Sequence, residues 1–311
     1  MPDYMRIMSE SQSPTSISVI IPLHNEEKRI KDCMQRLLAY FTQKNWDFEL
    51  IFVQDNSTDN TSSILEELSL IDNHIKIINI PARVGKGGAI MYSLMVRTTK
   101  KYVSYLDVDL AADPCELEKL LDYINDYDMV IGSRILRGNL SPIKRSFHRS
   151  LLSRSYSKLF RFLFRIPIFD PQCGFKLIRK EVLSKLFQDV MTTDFAFDTD
   201  MIVTAYTLGL RIKEIPINWK EGKDSSVSIH NEIRNMGIDI LSIWYRYHLL
   251  WRQGKAIYPQ KKGGIFGRVF FSILSLSNNV KNRHLRYLER KSLTNNQIEI
   301  LGKTKASAVI V

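Results

Sequence analysis

Cysteine is scarce in this chain of 311 residues: Cys33, Cys115 and Cys173 stand far apart and form no C-x-x-C pair. That spacing argues against a disulfide framework or a cysteine zinc site and fits a reducing compartment. Long apolar runs are missing as well. A bilayer span needs roughly 18 to 20 apolar residues. The best stretch, Ile265 to Leu276, is shorter and carries Arg268. Met1 to Pro14 is polar and has no apolar h-region, so no cleaved secretory signal is expected. No internal repeat or low-complexity tract is visible. A soluble or membrane-peripheral chain is the expectation. Acidic residues are also in short supply: 33 Asp and Glu face 44 Lys and Arg, a formal net charge of +11. An anionic partner follows, whether nucleic acid, membrane headgroups or a phosphorylated substrate.

What is present is the composition of an ordinary folded protein, 44% hydrophobic and 25% charged. Ile17–Pro22, Phe48–Val53, Ile75–Ile80, Tyr102–Leu106 and Met129–Ser133 read as strands; the first is short, rich in β-branched residues and stopped by proline. Helices are expected between them. One would be capped by Asn25, with Glu26 and Glu27 in its positive first turn. Others would run from the Asp55–Asp59 turn to near Leu70, from Gly85–Gly88 toward Thr98, and from Asp113-Pro114 onward. Strands alternating with helices at this spacing predict an α/β fold with a doubly wound, mostly parallel sheet. Ligands of such sheets bind beyond the carboxyl ends of the strands, where Asp55, Asp107 and Asp109 fall.

Further along, Ser146 to Ile166 reads as a basic amphipathic helix. Arg154, Lys158, Arg161 and Arg165 share one face, and Leu152, Leu159, Phe162 and Leu163 populate others. Strand character returns at Gly174–Ile178 and Arg211–Trp219, with helices around Val182–Phe187 and Thr199–Tyr206. A last helix is expected from beyond His230 to Trp251. Three regions result: a polar leader over 1–16, an α/β domain over 17–228, and a helical, membrane-associating region over 229–311 with a polar tail.

The strongest local signal for chemistry is Asp107-Val-Asp109 at the end of a hydrophobic strand. Two carboxylates at i and i+2 there can share a hard divalent ion, Mg²⁺ or Mn²⁺, that also bridges substrate phosphates. Solvated acids at a strand end are the alternative. Asp55 can bind a base or ribose, or act as a helix cap. Gly85-Lys-Gly-Gly88 lacks the phosphate-loop pattern G-x-x-x-x-G-K-[ST], so its glycines are weak signals, although Lys86 and Arg83 can neutralise phosphate. Asp198 and Asp200 form a second acidic pair at a helix start, and Asp170 is an ambiguous loop acid. His24 and His248 have no metal-ligand spacing and are expected to be structural.

In order along the chain, Val19-Ile-Ile-Pro-Leu-His-Asn-Glu-Glu27, Val53-Gln-Asp-Asn-Ser-Thr-Asp59, Val84-Gly-Lys-Gly-Gly-Ala89 and Asp107-Val-Asp109 resemble the family 2 glycosyltransferases of GT-A fold. Asp170-Pro-Gln-Cys-Gly-Phe-Lys-Leu177, Phe195-Ala-Phe-Asp198 and Glu214-Ile-Pro-Ile-Asn-Trp219 are similar to the dolichyl-phosphate glucose synthase branch. The likeness runs from Ile17 to Trp251. It implies that Pro22, His24, Glu26 and Asp55 surround the nucleoside of a nucleotide-sugar donor, joined by Lys86 and Gly87. It implies a metal on Asp107 and Asp109. Arg134, Arg149 and Lys176 would then address donor and acceptor phosphates, with Asp170 in the same catalytic group. Two departures matter. Gln54 stands where the family usually has an acid, so it takes no acid's role. Ala111 stands where mannose-using relatives carry Gln four residues after the first metal Asp, which favours glucose.

The resemblance implies inverting transfer of glucose or another hexose from UDP-glucose to dolichyl or other polyprenyl phosphate. Such an acceptor is already anionic and dispenses with a strong general base. The basic helix would rest on anionic headgroups with Leu152, Leu159, Phe160 and Leu163 in the interface. A peripheral place on the cytoplasmic side of a membrane is expected: the endoplasmic reticulum in a eukaryote, the plasma membrane in a prokaryote. Competing readings are a GDP-mannose-dependent dolichyl-phosphate mannosyltransferase and a transferase for soluble sugars with Asp198 or Asp200 as base. A catalytically silent membrane-docking relative and a basic non-catalytic binding protein complete the set. No nucleic-acid module is present to support nucleic-acid binding.

Overall fold

A computed structural model describes residues 14–136, 147–190, 192–193, 196–220 and 229–252, with the side chains of 147–150, 229–236 and 250–252 left out. The chain divides into two compact units, one ending at Ile229 and the other beginning at His230.

In the first unit, β1 (Ser16–Leu23), α1 (Ile30–Thr42), β2 (Asp47–Asp55), α2 (Thr61–Ser69), β3 (Ile75–Ile80), α3 (Lys86–Val96) and β4 (Tyr102–Tyr105) alternate as expected. Then follow α4 (Glu116–Ile124), β5 (Met129–Ser133), α5 (Phe147–Phe164), β6 (Lys176–Arg179), α6 (Lys180–Leu186), α7 (Phe197–Thr207) and β7 (Ile212–Pro216). The seven strands form one sheet in the order β3-β2-β1-β4-β6-β5-β7. β1, β2, β3 and β4 are mutually parallel, and β5 is parallel to β7. Only β6 runs against its neighbours. Because β6 is antiparallel to both β4 and β5, those two strands point the same way. Their carboxyl ends lie on one edge, separated by two strand spacings of about 10 Å.

Burial explains the strand sequences. Ile17, Val19, Ile20 and Ile21 of β1 and Leu50, Ile51, Phe52 and Val53 of β2 are all fully buried, as central strands covered on both faces must be. Aliphatic side chains of α1 and α4, among them Leu37, Leu117 and Leu120, belong to the same core.

Two expectations change. Asn25 does not cap α1, which begins at Ile30 behind Arg29 with no side-chain cap. Asn25 instead adopts a left-handed backbone, φ 57°, which Asn tolerates better than most residues. Its Oδ1 accepts from Thr58 N at 2.8 Å, and its own N–H donates to Ser57 Oγ at 3.1 Å. The residue therefore staples the β1–α1 loop to the β2–α2 loop.

The second change concerns α5, which turns a different face inward from the one expected. Phe160 and Leu163 are buried and Leu152 is half-buried, so none of these is the exposed apolar edge. Leu151 (54% exposed), Leu159 and Phe162 (72%) face outward among Arg154, Lys158 and Arg161. Arg165, expected on the basic face with Arg154, Lys158 and Arg161, instead follows the end of α5 in a left-handed conformation, φ 58°. Leu159 and Phe162 share the outward side with the cations, because which side meets the core depends on tertiary packing.

In the second unit, α8 (Ile229–Arg252) carries buried Ile240, Ile243, Trp244 and Tyr247, with His248 against the Trp244 ring. No described helix is long and apolar enough to cross a membrane.

Candidate active site

The carboxyl-end edge of the sheet gathers most of the predicted residues. Asp55, the last residue of β2, accepts Val84 N–H on Oδ1 at 2.8 Å and Gly85 N–H on Oδ2 at 2.9 Å. Its role in the fold is therefore to hold the β3–α3 loop, where Gly85 has φ 83°, a value that favours glycine. The carbonyl of Asp55 is 2.8 Å from His24 Nδ1. A carbonyl only accepts, so Nδ1 carries the proton and Nε2 of a neutral ring is the acceptor. Pro22 lies in β1 beside Val53 of β2. Gln54 is buried and turned to local structure, donating to Ser62 Oγ at 2.7 Å and accepting Asn56 N–H at 3.1 Å.

Beyond β4 the chain turns sharply. Leu110 N–H donates to the Asp107 carbonyl at 2.9 Å, Ala111 N–H donates to Asp109 Oδ1 at 3.1 Å, and Leu110 is left-handed with φ 45°. A non-glycine residue in that region costs about 1–3 kcal/mol and is held by its surroundings. Here the turn sets both carboxylates on one loop.

Lys86, the first residue of α3, reaches Asp107 Oδ1 at 2.5 Å. Burial works against the Lys86 charge, but Asp107, Asp198 and Asp109 outweigh it and hold its pKa above the ordinary lysine value. The Asp109 side chain reaches solvent, yet desolvation by the surrounding protein raises its carboxyl, with the Asp107 charge second. Ala111 N–H, Lys86 and Arg29 act in the opposite direction. Glu26 is raised too, by burial first; its partner Arg29, at 3.3 Å, opposes this while Asp109, Asp59 and Asp107 add to it.

This acid excess is what a divalent ion would relieve. Among the described residues no group of three or more His, Cys, Asp or Glu is arranged to hold a metal. Two carboxylates nevertheless suit Mg²⁺ or Mn²⁺, which commonly completes its shell with substrate phosphates and water. The surroundings are shaped for the carboxylates as well. A Cβ at Gly174 would lie 3.1 Å from Asp107 Oδ2 and 3.4 Å from Lys86 Nζ. A Cβ at Gly87 would overlap Phe197 and the Thr193 carbonyl, so glycine lets the start of α3 approach α7.

At the end of β5, Arg134 makes a fork with Asp170. Nε donates to Oδ2 and Nη2 to Oδ1, both at 2.7 Å, and the Arg134 backbone N–H adds a third bond at 2.8 Å. The guanidinium also lies over the Trp219 ring, 5.1 Å from its centroid. Asp170 is thus the holder of Arg134.

Lys176 is placed elsewhere. It is fully buried, its ammonium bound by Asp198 and, at 2.5 Å, by the Cys173 carbonyl. Asp198 also accepts from Tyr105 OH. Lys176 thus lies inside the fold, bonded to protein, with no solvent-facing cation. Asp200 is likewise engaged, accepting from Thr192 N–H at 3.0 Å and Thr192 Oγ1 at 3.2 Å. Arg149 falls in α5, but its side chain lies outside the described residues.

Sequence reasoning passed over two contributors. Glu214 binds the Phe169–Asp170 backbone and Gly174 makes room beside Asp107. Both lay inside the motif segments carrying the family likeness, which was their only signal.

A sheet of this order, with an Asp-x-Asp turn after its fourth strand, defines a glycosyltransferase of GT-A fold. Residues 18–187 match the family described as Glycosyl transferase family 2, and the chain belongs to that family. It is 32% identical over 250 residues to human dolichyl-phosphate beta-glucosyltransferase, covering 76% of this chain and 77% of that protein. The Saccharomyces cerevisiae protein of the same name is 31% identical, covering 77% of each. Glycosyltransferase AglD of Haloferax volcanii is 30% identical over 79% of this chain, which spans only 39% of that longer protein. Among solved structures, glucosyl-3-phosphoglycerate synthase from Mycobacterium tuberculosis with Mn²⁺, UDP and glucosyl-3-phosphoglycerate aligns with a TM-score of 0.55. That alignment covers 81% of this chain and 83% of that one at 18% identity, a likeness of fold.

Proposed function

We propose that this glycosyltransferase moves glucose from UDP-glucose to dolichyl or another polyprenyl phosphate with inversion at the anomeric carbon. The observation that carries the reading is the commitment of the interior acids. Asp198 and Asp200, the candidate bases for a hydroxyl acceptor, are bonded to Lys176, Tyr105 and Thr192. A phosphate oxygen is anionic near neutral pH and needs no such base. The dolichyl-phosphate glucosyltransferases among the relatives favour the same acceptor. Ala111 at the position of the mannose-associated Gln favours glucose over mannose.

In this reading Pro22, His24, Glu26 and Asp55 surround the nucleoside, with Asp55 also fixing the loop that presents Lys86 and Gly87 to the diphosphate. Asp107 and Asp109 would hold Mg²⁺ or Mn²⁺, whose charge would stabilise the leaving nucleotide diphosphate. Arg134, at the end of β5 two strand spacings from the β4 end, orients the acceptor phosphate, a role the family likeness gives to Arg149 as well. An acceptor oxygen attacks the anomeric carbon from the face opposite the departing β-phosphate oxygen. The C–O bond to the nucleotide breaks as the new one forms. A β-linked lipid product from an α-linked donor results.

The outward face of α5 supports a peripheral membrane site, which this reading assigns to the cytoplasmic side. Leu151, Leu159 and Phe162 project among Arg154, Lys158 and Arg161, and each cation near an anionic surface contributes about 1 kcal/mol. By this reading the membrane is the endoplasmic reticulum in a eukaryote and the plasma membrane in a prokaryote.

The test is transfer from radiolabelled UDP-glucose and GDP-mannose to dolichyl phosphate in detergent, with and without Mg²⁺ or Mn²⁺. Metal-dependent lipid-phase label from UDP-glucose is expected. Label from GDP-mannose alone would keep the acceptor and overturn the sugar. Donor binding without lipid-phase label from either would replace the phosphate acceptor with a soluble one.

A further inference from the structure

Glu214 lies on the edge strand β7, opposite Ile131 of β5. Its carboxylate binds two consecutive amides of the loop before β6: Asp170 N–H at 2.7 Å on Oε1 and Phe169 N–H at 2.8 Å on Oε2. Ser133 of β5 lies near the same carboxylate and favours its charge. One acid, on the strand paired with β5, thus fastens the loop carrying Asp170, which grips Arg134 by three N–H groups.

The placement is chemically unusual. Glu214 sits beside a second carboxylate, Asp170, and that like charge is unfavourable to it. A fold wanting only loop stability would be served as well by a neutral acceptor. A carboxylate offers two acceptor oxygens where a neutral side-chain amide has one, so each of the two consecutive N–H groups meets its own oxygen, fixing the direction in which the Asp170 side chain leaves the loop. That direction sets the plane of the Arg134 guanidinium. Nε and Nη2 meet Asp170, so the opposite edge, at Nη1, is turned away from it. The far side of the loop is also gripped, since Ser157 of α5 bonds the Phe169 carbonyl and the Arg161 guanidinium lies 4.2 Å from the Phe169 ring centroid.

We infer that Glu214 is a positioning residue of the transfer reaction, acting through Asp170 to aim the outer edge of Arg134 at the phosphate of the acceptor. The inference rests on the proposed function for the identity of that phosphate. A misaimed guanidinium loses a bidentate contact, so the defect should appear in acceptor affinity and leave donor affinity alone.

The experiment is a double-mutant cycle on the full chain with Glu214→Gln and Arg134→Lys, reading KM for dolichyl phosphate, KM for UDP-glucose and kcat. Gln offers one acceptor oxygen, and its NH₂ meets an N–H donor. Glu214→Gln should raise the acceptor KM about tenfold and change the donor KM less than about twofold. In the Arg134→Lys background, which has no guanidinium to aim, the same change should add less than about twofold. Equal effects in both backgrounds, or donor and acceptor KM rising together, would overturn the role. Should Glu214→Gln fail to fold, Glu214→Asp, with the carboxylate one methylene further back, takes its place with the same expectations.

Farnesyl phosphate binding by calorimetry separates this inference from the reaction itself. Weaker binding to Glu214→Gln, again dependent on Arg134, supports the positioning role even if the unaltered chain transfers no sugar to dolichyl phosphate. Unchanged farnesyl phosphate binding in an enzyme that does transfer overturns the positioning role alone. No binding by the unaltered chain overturns both.

Discussion

The carboxyl ends of β4 and β5 share one edge of the sheet, yet they hold charge in opposite ways. At β4 the acids outnumber their cations. Lys86 reaches Asp107, while Asp109 and Glu26 are both raised by burial and by neighbouring carboxylates. At β5 each charge is bonded within the protein: Arg134 forks onto Asp170, and Glu214 fastens the loop beneath them. Deeper still, Lys176 and Asp198 close on each other out of solvent. An end with excess acid is suited to take up a cation together with an anionic diphosphate. A closed, hydrogen-bonded pair is suited to keep one guanidinium still. The same charged residue types therefore serve recruitment at one strand end and orientation at the next.

Breaking the β4 end should have the largest effect. Asp109→Asn is expected to cut transfer at least about 100-fold, as loss of a metal ligand does. Mn²⁺ is expected to raise the melting temperature of the unaltered chain by binding the folded state, and the substitution should abolish that rise. A variant that still gained stability from Mn²⁺ would take Asp109 out of the metal site. Chelation of the unaltered enzyme should reproduce the activity loss, and added Mg²⁺ or Mn²⁺ should reverse it.

Breaking the closed interior pair should instead cost stability. Lys176→Met leaves Asp198 buried without its cation, a loss of about 3–5 kcal/mol for a buried pair. Urea unfolding measures it. An inactive variant as stable as the unaltered chain would make Lys176 a cation for substrate and reverse the comparison.

This contrast also marks how far the sequence could be read. Central parallel strands such as Ile17–Ile21 and Leu50–Val53 are continuous apolar runs, so their existence and the acids that follow them were visible in order. The short antiparallel β6 was visible as a strand, but its insertion between β4 and β5 depends on long-range pairings, Tyr105 with Lys176 and Met129 with Ile178 among them. The bond between Lys176 and Asp198 was hidden for the same reason, since neither residue's neighbours announce the other. Asn25 had the chemistry of a helix cap and of a left-handed turn, and only the nearby β2–α2 loop decided between them. Helical spacing placed Phe160 and Leu163 on a face of α5 without saying that the core would cover it.

Finer changes sharpen the comparison. Gly174→Ala puts a methyl 3.1 Å from Asp107 Oδ2, which must move by a few tenths of an ångström. About a tenfold loss of kcat is expected, since displacements of this kind at a reacting centre are costly, together with weaker Mn²⁺ dependence and little change in melting temperature. An equal loss at saturating Mn²⁺ and in its absence would mean that the tight fit beside Asp107 serves packing only.

The smallest expected effect is a pH dependence at the β5 end. Burial raises the Glu214 carboxyl in the folded chain, against the Phe169, Ser133 and Asp170 donors that favour its charge, while Asp170's own charge raises it further. The fold therefore binds this proton more tightly than the unfolded chain does. Its stabilising contribution is fully present below the unfolded value, about 4.3, and is lost as the pH rises through the folded one. Glu214→Gln does not titrate. The stability of the unaltered chain relative to this variant should accordingly fall as urea melts are taken from about pH 4 toward neutrality. A difference that grew over that interval would mean that the amide donors outweigh burial, making the charged Glu214 a net stabiliser of the loop it holds.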